Sequence, residues 1–398
     1  MCFTELLLWR NNDKEEDPVI VTEDANGLEM HLLGETSLQK IDTFLIEDET
    51  LARLCKVEII LIASTHSKKK STHLVVGQLF DYYGIKYTLL ETTTPKSITE
   101  FAQRNYTTGQ EYLFLFFSGD TCLFEFVNFF YREFANPEDI PSTTFLPFPH
   151  GTGNAMANSI GLHDDISCIQ ALFKFNRHHL PLYSLQTSAT LLPTNPALTN
   201  LADLSQTPIL FTVVASWGLH SLIVYESDKS ELRSRYGAER FRIAATKILE
   251  ENPVFKGSIL SNKLYLSFQN GWRESPIECT QDLSYFVLAA LSNFEEKFTI
   301  SPASLVERDQ LHMVAIPYSP SVEVMELMNA AYDNGRHISS NLVCYKPVDQ
   351  ELTITLNEAT DPDKCIICLD GSSWKVTGPD KKLVFSYVDQ SFLHFLSL

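Results

Sequence analysis

FFSGDTCLFEFVNFF, residues 116–130, opens on two phenylalanines, breaks at Ser118-Gly119-Asp120 and then resumes apolar residues at helical spacing. Upstream, EYLFLFF (111–117) is a continuous apolar run of strand length; downstream, LFEFVNFFYREFA (123–135) repeats its apolar residues every three or four positions. A strand buried on both faces and followed by an amphipathic helix is the repeating unit of a parallel α/β sheet.

The same unit recurs on either side. VEIILIAS (57–64) is a short β-branched run of the buried-strand kind, and STHLVVGQLFDYYG (71–84) then alternates at helical period and stops at Gly84. IKYTLLET (85–92) is a second strand, PKSITEFAQRN (95–105) a helix with Pro95 in its first turn, and TTFLPFP (143–149) a fourth strand. Joined by right-handed crossovers, these elements make an open, mostly parallel sheet.

From about residue 181 the rhythm changes. LYSLQTSATLL, ILFTVVAS, KLYLSFQN, CTQDLSYFVLAAL, QLHMVAIPY, LTITLNE, KCIICLD and WKVTG read as strands, many with period-two alternation, bounded by Pro, Asn, Asp and Ser. Two helical stretches interrupt them, 237–251 and 322–335, and 191–208 reads as a polar, proline-bearing loop, exposed and mobile. This describes a second, mostly antiparallel β domain. Residues 11–50 are acidic and polar. The expected division is therefore an N-terminal extension over 1–54 with a few short strands, a parallel α/β domain over 55–178 and a β domain over 179–398, whose last segment can return toward the first.

Composition narrows the function. The chain has 398 residues, 44% of them hydrophobic, enough for two domains with cores. Its net charge of −19, from 31 Lys and Arg against 50 Asp and Glu, argues against a nucleic-acid partner or a polybasic membrane anchor. No run of eighteen apolar residues is present, and MCFTELLLWR has no basic leader before its apolar stretch, so neither a spanning helix nor a signal peptide is expected. Eight cysteines scattered along the chain suit a reducing, cytoplasmic setting. Cys365 and Cys368 form a lone CxxC, a weak zinc signal that reads better as a buried strand; His178-His179 has no ligand partner at useful spacing and is expected at the surface. No side-chain metal site is expected.

In an open parallel sheet, ligands sit at the carboxyl ends of the strands, where helix N-termini direct backbone N–H groups outward. Ser118-Gly119-Asp120 lies at such an end. Gly119 allows close backbone approach, Ser118 and Thr121 offer hydroxyls, and Asp120 can meet Mg²⁺ indirectly or take a proton from an attacking hydroxyl. Ser118 or Asp120 equally suits a plain N-cap of the following helix, and this stretch alone leaves both readings open. A second turn, in LPFPHGTGNAMANSIGL (146–162), follows the fourth strand with Gly151, Thr152, Gly153 and Asn154. Two polar, glycine-bearing turns at successive strand ends should line one crevice.

The two turns resemble those of the diacylglycerol-kinase catalytic family, in its sphingosine- and ceramide-kinase branch. The family pattern S-G-D-x-x-x-x-E-x-x-N matches Ser118, Gly119, Asp120, Glu125 and Asn128, and P-x-G-[ST]-G-N-A-x-A-x-S matches Pro149, Gly151, Thr152, Gly153, Asn154, Ala155, Ala157 and Ser159. ASWGLHSLIVYESD…RYGAERF (215–241), ISPASLVERDQLHMVAIPY (300–318) and LDGSSW (369–374) resemble later landmarks, so the likeness runs over roughly 55–398. It implies a phosphofructokinase-like α/β domain, a β-sandwich that holds lipid, and a nucleotide in the cleft between them. It also implies transfer of the γ-phosphoryl of ATP, with Mg²⁺, to the hydroxyl of a ceramide-, diacylglycerol- or sphingoid-type lipid, with peripheral membrane contact. Carried over residue by residue, Ser118, Gly119, Thr121, Gly151, Thr152, Gly153 and Asn154 would hold nucleotide, Asp120 would be the general base, Arg240 with Arg233 or Arg235 would reach the phosphates, and Asp370 would lie near the ribose–phosphate end.

The departures are equally specific. Where the family carries a glycine loop after its first strand, this chain has ASTHSKKKS (63–71), in which Lys68, Lys69 and Lys70 could supply charge in place of backbone geometry. Thr121 replaces a glycine, and Ser372 replaces a glutamate. Leu222 and Val224 stand where sphingosine kinases have acids that would pair with a sphingoid amine, which favours a neutral lipid over a free base. Two classes stay open: an active lipid kinase, and a pseudokinase that binds nucleotide or lipid without transfer.

Overall fold

The structure, a computed structural model, describes residues 4–398 apart from 11–17, 25–26, 33–41, 66, 68, 70, 95, 105, 135, 196–197, 200–207, 262–278, 307, 349–350 and 358–361. The chain divides into two compact units: 1–123, 130–180 and 391–398 form the first, and 124–129 with 181–390 the second.

The first unit is built on a six-stranded sheet. In chain order its strands are β5 (Glu58–Ser64), β6 (Tyr87–Thr92), β7 (Tyr112–Ser118), β8 (Thr143–Pro149), β9 (Asn176–His179) and β24 (Leu393–Ser397), arranged β6-β5-β7-β8-β24-β9. The first five in that arrangement are mutually parallel, and β9 pairs antiparallel with β24. The four strands expected from the apolar runs are β5 to β8. All seven residues of β7 are buried, which is why its sequence is continuously apolar instead of alternating. Phe117 stacks on Phe148 of β8 with ring centroids 4.3 Å apart, and Phe114 tilts onto Phe145 at 5.9 Å. The crossover helices α2 (Thr72–Tyr82), α3 (Ser97–Ala102), α4 (Asp120–Arg132) and α6 (Asp165–Lys174) follow the helical periodicity, with the short α5 (Ala155–Ser159) between α4 and α6. Pro95, expected in the first turn of α3, lies outside the described residues. His178 is half-buried and stacks on Phe395 at 5.3 Å, contrary to the surface placement expected for it, because β24 covers β9.

Residues before β5 are more than a polar extension. β1 (Thr4–Arg10), β2 (Val19–Asp24), β3 (Gly27–Leu32) and β4 (Asp42–Ile46) form a sheet in the order β3-β2-β1-β4, followed by α1 (Asp48–Leu54). Leu6, Leu8, Val19, Val21, Leu28 and Ile46 are buried in the same core as Val76, Leu79 and Phe80 of α2 and Ile169 and Leu172 of α6. At about 25 cal/mol per Å² of apolar surface, such residues tie the N-terminal sheet firmly to the unit.

The second unit carries a 12-stranded antiparallel sheet. Its strands follow one hydrogen-bonded path that forks at β15 (Cys279–Ala289), whose first half pairs with β14 (Phe255–Ser261) and whose second half pairs with β18 (Leu311–Pro317). The strands of the β-sandwich expected from the resemblance are hydrogen-bonded as one large sheet, in which the eleven-residue β15 is long enough to pair with three other strands. KCIICLD supplies β21 (Ile366–Leu369), and Cys365 and Cys368 are buried. KLYLSFQN lies outside the described residues. The loop expected over 191–208 begins as strand β11 (Thr190–Pro193), and Leu198 is buried. The helices expected near 237–251 and 322–335 are Arg240–Glu250 and Ser321–Ala331; two more, Leu219–Ser227 and Ser230–Tyr236, were not read from the sequence.

Candidate active site

Strands β7 and β8 run in parallel register with Ser118 opposite Pro149, so the turns that follow them leave the sheet side by side. They touch. A Cβ on Gly119 would lie 3.1 Å from the Cα of Gly151, and a Cβ on Gly151 would lie 2.4 Å from the Cα of Gly119 and 2.8 Å from Asn154 Oδ1. Only glycine fits at 151, because the nearest atom is backbone, and a side chain at 119 would crowd the same backbone. Asn154 closes its turn from within: its Oδ1 accepts the Gly151 N–H at 2.6 Å and its Nδ2 donates to Gly151 O at 3.3 Å. Asn154 adopts φ 56°, ψ 45°, a left-handed conformation that asparagine tolerates better than most residues, and so starts α5. Asn158 Nδ2 donates back to Gly153 O at 2.8 Å.

Asp120 joins the two turns. It is the first residue of α4, yet its carboxylate caps the other helix: Oδ2 accepts the Ala155 N–H at 2.8 Å and Oδ1 the Met156 N–H at 3.0 Å. Burial pushes the carboxyl pKa up, and the amides of Met156 and Ala155 pull it only part of the way back. Two amide bonds use two of roughly four lone-pair positions on a carboxylate. Asp120 is therefore oriented by the backbone and still able to accept a further hydrogen bond. A small cavity opens here, with Ser118, Asp120 and Asn154 as its polar wall and Phe116, Leu123 and Phe148 among its apolar lining. Ser118 is buried, and Thr121 is exposed one residue beyond Asp120. Thr152 and Gly153 lie within the turn that Asn154 closes.

The remaining sequence candidates fall in the second unit. Arg240 is buried, with its guanidinium 3.5 Å from Asp228 Oδ1, donating to Gly237 O at 3.2 Å and lying over the Phe241 ring at 4.5 Å. Asp370 is 1% exposed, and its carboxylate accepts the N–H groups of Thr212 at 2.7 Å, Val213 at 2.9 Å and Val214 at 2.8 Å. Asn128 of α4 binds both backbone groups of Leu210, donating at 2.8 Å and accepting at 2.8 Å. Each of these side chains is engaged in holding its own unit together.

One cluster escaped sequence reasoning. His150, immediately before Gly151, is buried with its Nε2 2.8 Å from Asp165 Oδ1 and its Nδ1 3.0 Å from Ser67 Oγ. Lys69 pairs with Glu23 and lies 3.4 Å from Asp165 Oδ2. Of the lysine run, Lys68 and Lys70 lie outside the described residues. No spacing rule links residues 23, 67, 150 and 165; the only hint was a histidine abutting the second glycine turn.

No family model matches the chain. Over 121 residues, 29% of this chain, it is 34% identical to sphingosine kinase B of Dictyostelium discoideum, and the match spans 16% of that relative's length. Three solved structures from Bacillus anthracis str. Sterne, each named as a diacylglycerol kinase and two of them provisionally, share the fold. They cover 86% of this chain and 97% of their own, with TM-scores of 0.56, 0.54 and 0.53 at 11–12% identity. The architecture shared with them is a mixed α/β unit with a parallel sheet and a unit with a large antiparallel sheet.

Proposed function

We propose that the protein is an ATP-dependent lipid kinase, with Asp120 taking the proton of a lipid hydroxyl as that oxygen attacks the γ-phosphoryl group. The observation that carries this reading is the state of Asp120: a carboxylate fixed by the Ala155 and Met156 amides, with acceptor capacity left over and its pKa raised by burial. A raised pKa makes it a better proton acceptor near neutrality, and fixed orientation is what phosphoryl transfer asks of a protein. Ser118, Gly119, Thr121, Gly151, Thr152, Gly153 and Asn154 hold the nucleotide in this reading. The phosphofructokinase-like description of the first unit belongs to the same reading.

Among the described residues no group of three or more His, Cys, Asp and Glu side chains could cage a metal ion. A single carboxylate at the turns fits Mg²⁺, which is commonly held by one or two carboxylates with substrate phosphates and water. Asp120 would be that carboxylate, and the cation would offset phosphate charge. Among the described residues no helix is long and apolar enough to cross a membrane, so lipid is met from the water side or at a bilayer surface in this reading.

A neutral lipid is the favoured acceptor, because Leu222 and Val224 put no acid where a sphingoid amine would be paired. The test is to incubate the protein with labelled ATP, Mg²⁺ and ceramide, diacylglycerol or sphingoid bases in mixed micelles. Label is expected in a neutral lipid. One observation favours a second reading, that of a pseudokinase: Lys69, in the turn that lacks glycine, is already paired with Glu23 and Asp165. Nucleotide-dependent or lipid-dependent thermal stabilisation with no label in any lipid would select that reading, and no stabilisation by either ligand together with no label would remove both.

A further inference from the structure

We propose that His150 is a positioning residue for the Gly151–Asn154 turn and that Glu23, from the N-terminal sheet, holds it in place through Lys69 and Asp165. This rests on the reading that the turn binds nucleotide.

A turn that binds phosphate through its backbone must be stiff before the ligand arrives, since ordering it on binding reduces affinity. The Gly151–Asn154 turn is closed from within by Asn154 and held from behind by Asp120 on Ala155 and Met156. Its leading end depends on His150. Both ring nitrogens are engaged, Nε2 with Asp165 and Nδ1 with Ser67, and its backbone N–H donates to Phe148 O at 2.8 Å. Asp165 is fully buried and is held ionised by His150 and Lys69 against the cost of burial. An ionised carboxylate only accepts, so His150 Nε2 carries the hydrogen toward it. Nδ1 can then accept from the Ser67 hydroxyl, or donate to it while that hydroxyl turns to Lys69 O at 3.2 Å. The ring stays held in either protonation state.

Asp165 is held in its turn. Its Oδ2 accepts the Thr72 hydroxyl at 2.7 Å and faces Lys69 at 3.4 Å. Glu23 bridges this group to α6: one oxygen pairs with Lys69 and the other accepts the Ile166 N–H at 3.1 Å. Ser67 and Lys69, which belong to the sequence stretch with no glycine to wrap a phosphate, thus engage His150 and Asp165. There they brace the neighbouring turn. Glu23, Ser67, Thr72, His150 and Asp165 are all buried, and a satisfied polar network of this kind fixes geometry because breaking one member strands the others.

The test measures Mg²⁺–ATP dissociation constants on the full chain. His150→Leu is expected to weaken binding at least tenfold and Glu23→Gln about threefold, whereas Lys69→Arg, which keeps the charge, stays within twofold of wild type. Leu79→Ala, a core change in the same unit that touches none of the network, should lower the Tm and leave the dissociation constant within twofold. Glu23→Gln carries the decision even if His150→Leu fails to fold. Tighter binding by Glu23→Gln would mean that freed Lys69 meets the phosphates directly, and unchanged binding would mean that the network only stabilises the fold; either overturns the proposal. Wild-type protein that binds no nucleotide would instead overturn the reading on which it rests.

Discussion

Asp120 sits where two roles can be separated by a change of one atom. Asparagine keeps the size and caps helices about as well as aspartate, but it offers one acceptor oxygen to the two amides of Ala155 and Met156 and cannot take a proton. Asp120→Asn is therefore expected to cost about 1 kcal/mol of stability, to leave nucleotide binding within a few-fold, and to lower phosphoryl transfer by about 10²–10⁴. Undiminished transfer would leave Asp120 only the cap it forms on α5, in place of the cap on α4 that the sequence left open. Gly151 predicts a different failure. A methyl group there would sit 2.4 Å from the backbone of Gly119, so Gly151→Ala must push two strand ends apart. An overpacking loss of about 2 kcal/mol is expected in urea denaturation, together with loss of nucleotide-dependent stabilisation.

The turn between β21 and β22 (Ser372–Thr377) gives the sharpest expectation among the elements. Leu369 pairs with Ser372, leaving Asp370-Gly371 as a two-residue loop in which both residues have positive φ, the geometry that Asp-Gly favours. From that loop the Asp370 carboxylate accepts three consecutive N–H groups, of Thr212, Val213 and Val214. Asp370→Ala would leave these buried donors unpartnered and should cost about 3 kcal/mol or more; a loss under about 1 kcal/mol by urea titration would show that water replaces the carboxylate easily. The Asp-Gly pair between two strand-like runs is itself a hairpin signal in the sequence. Elsewhere, legibility tracked burial. β5, β7 and β8 were readable because two covered faces demand unbroken apolar runs, and α2 and α4 because one covered face demands a 3.6-residue period. Helix Leu219–Ser227 hid for the same reason: LHSLIVYES is apolar along most of its length and β-branched at Ile223 and Val224, which reads as strand. The two glycine turns were legible as a local pattern. Their brace was not, because Glu23 meets Ile166 across 143 residues and only the fold brings them together.

Across the whole molecule, acid should be poorly tolerated. Burial lowers the pKa of His220 from 6.5 to about 4, and burial with the nearby Arg177 guanidinium does the same to His394. A histidine whose folded pKa is depressed binds its proton more readily when unfolded, so its contribution is intact above pH 6.5 and is lost as pH falls toward 4. The Tm should therefore decline over that window by an amount corresponding to about 3 kcal/mol for the buried His220 and less for His394, where solvent screens the effect. His220→Phe should flatten the decline measured by calorimetry, and an unchanged slope would assign it to other groups. The other whole-molecule feature is β24. It lies between β8 and β9, with Leu393, Phe395 and Leu396 buried. Removing 391–398 should expose the edge of β8 and yield protein that aggregates or unfolds well below wild type in a thermal scan. The order in which a ribosome delivers these strands adds a consequence. About 240 residues separate the end of β8 from the start of β24, roughly 10–50 s of elongation at 5–20 residues per second. For that interval the strand leading into the glycine turn has an open edge on the nascent chain, while the antiparallel sheet of the second unit is still being made. Cells expressing this protein would have to shield that edge during synthesis, and any message cut short before the codon for Leu393 would encode a first unit that cannot close.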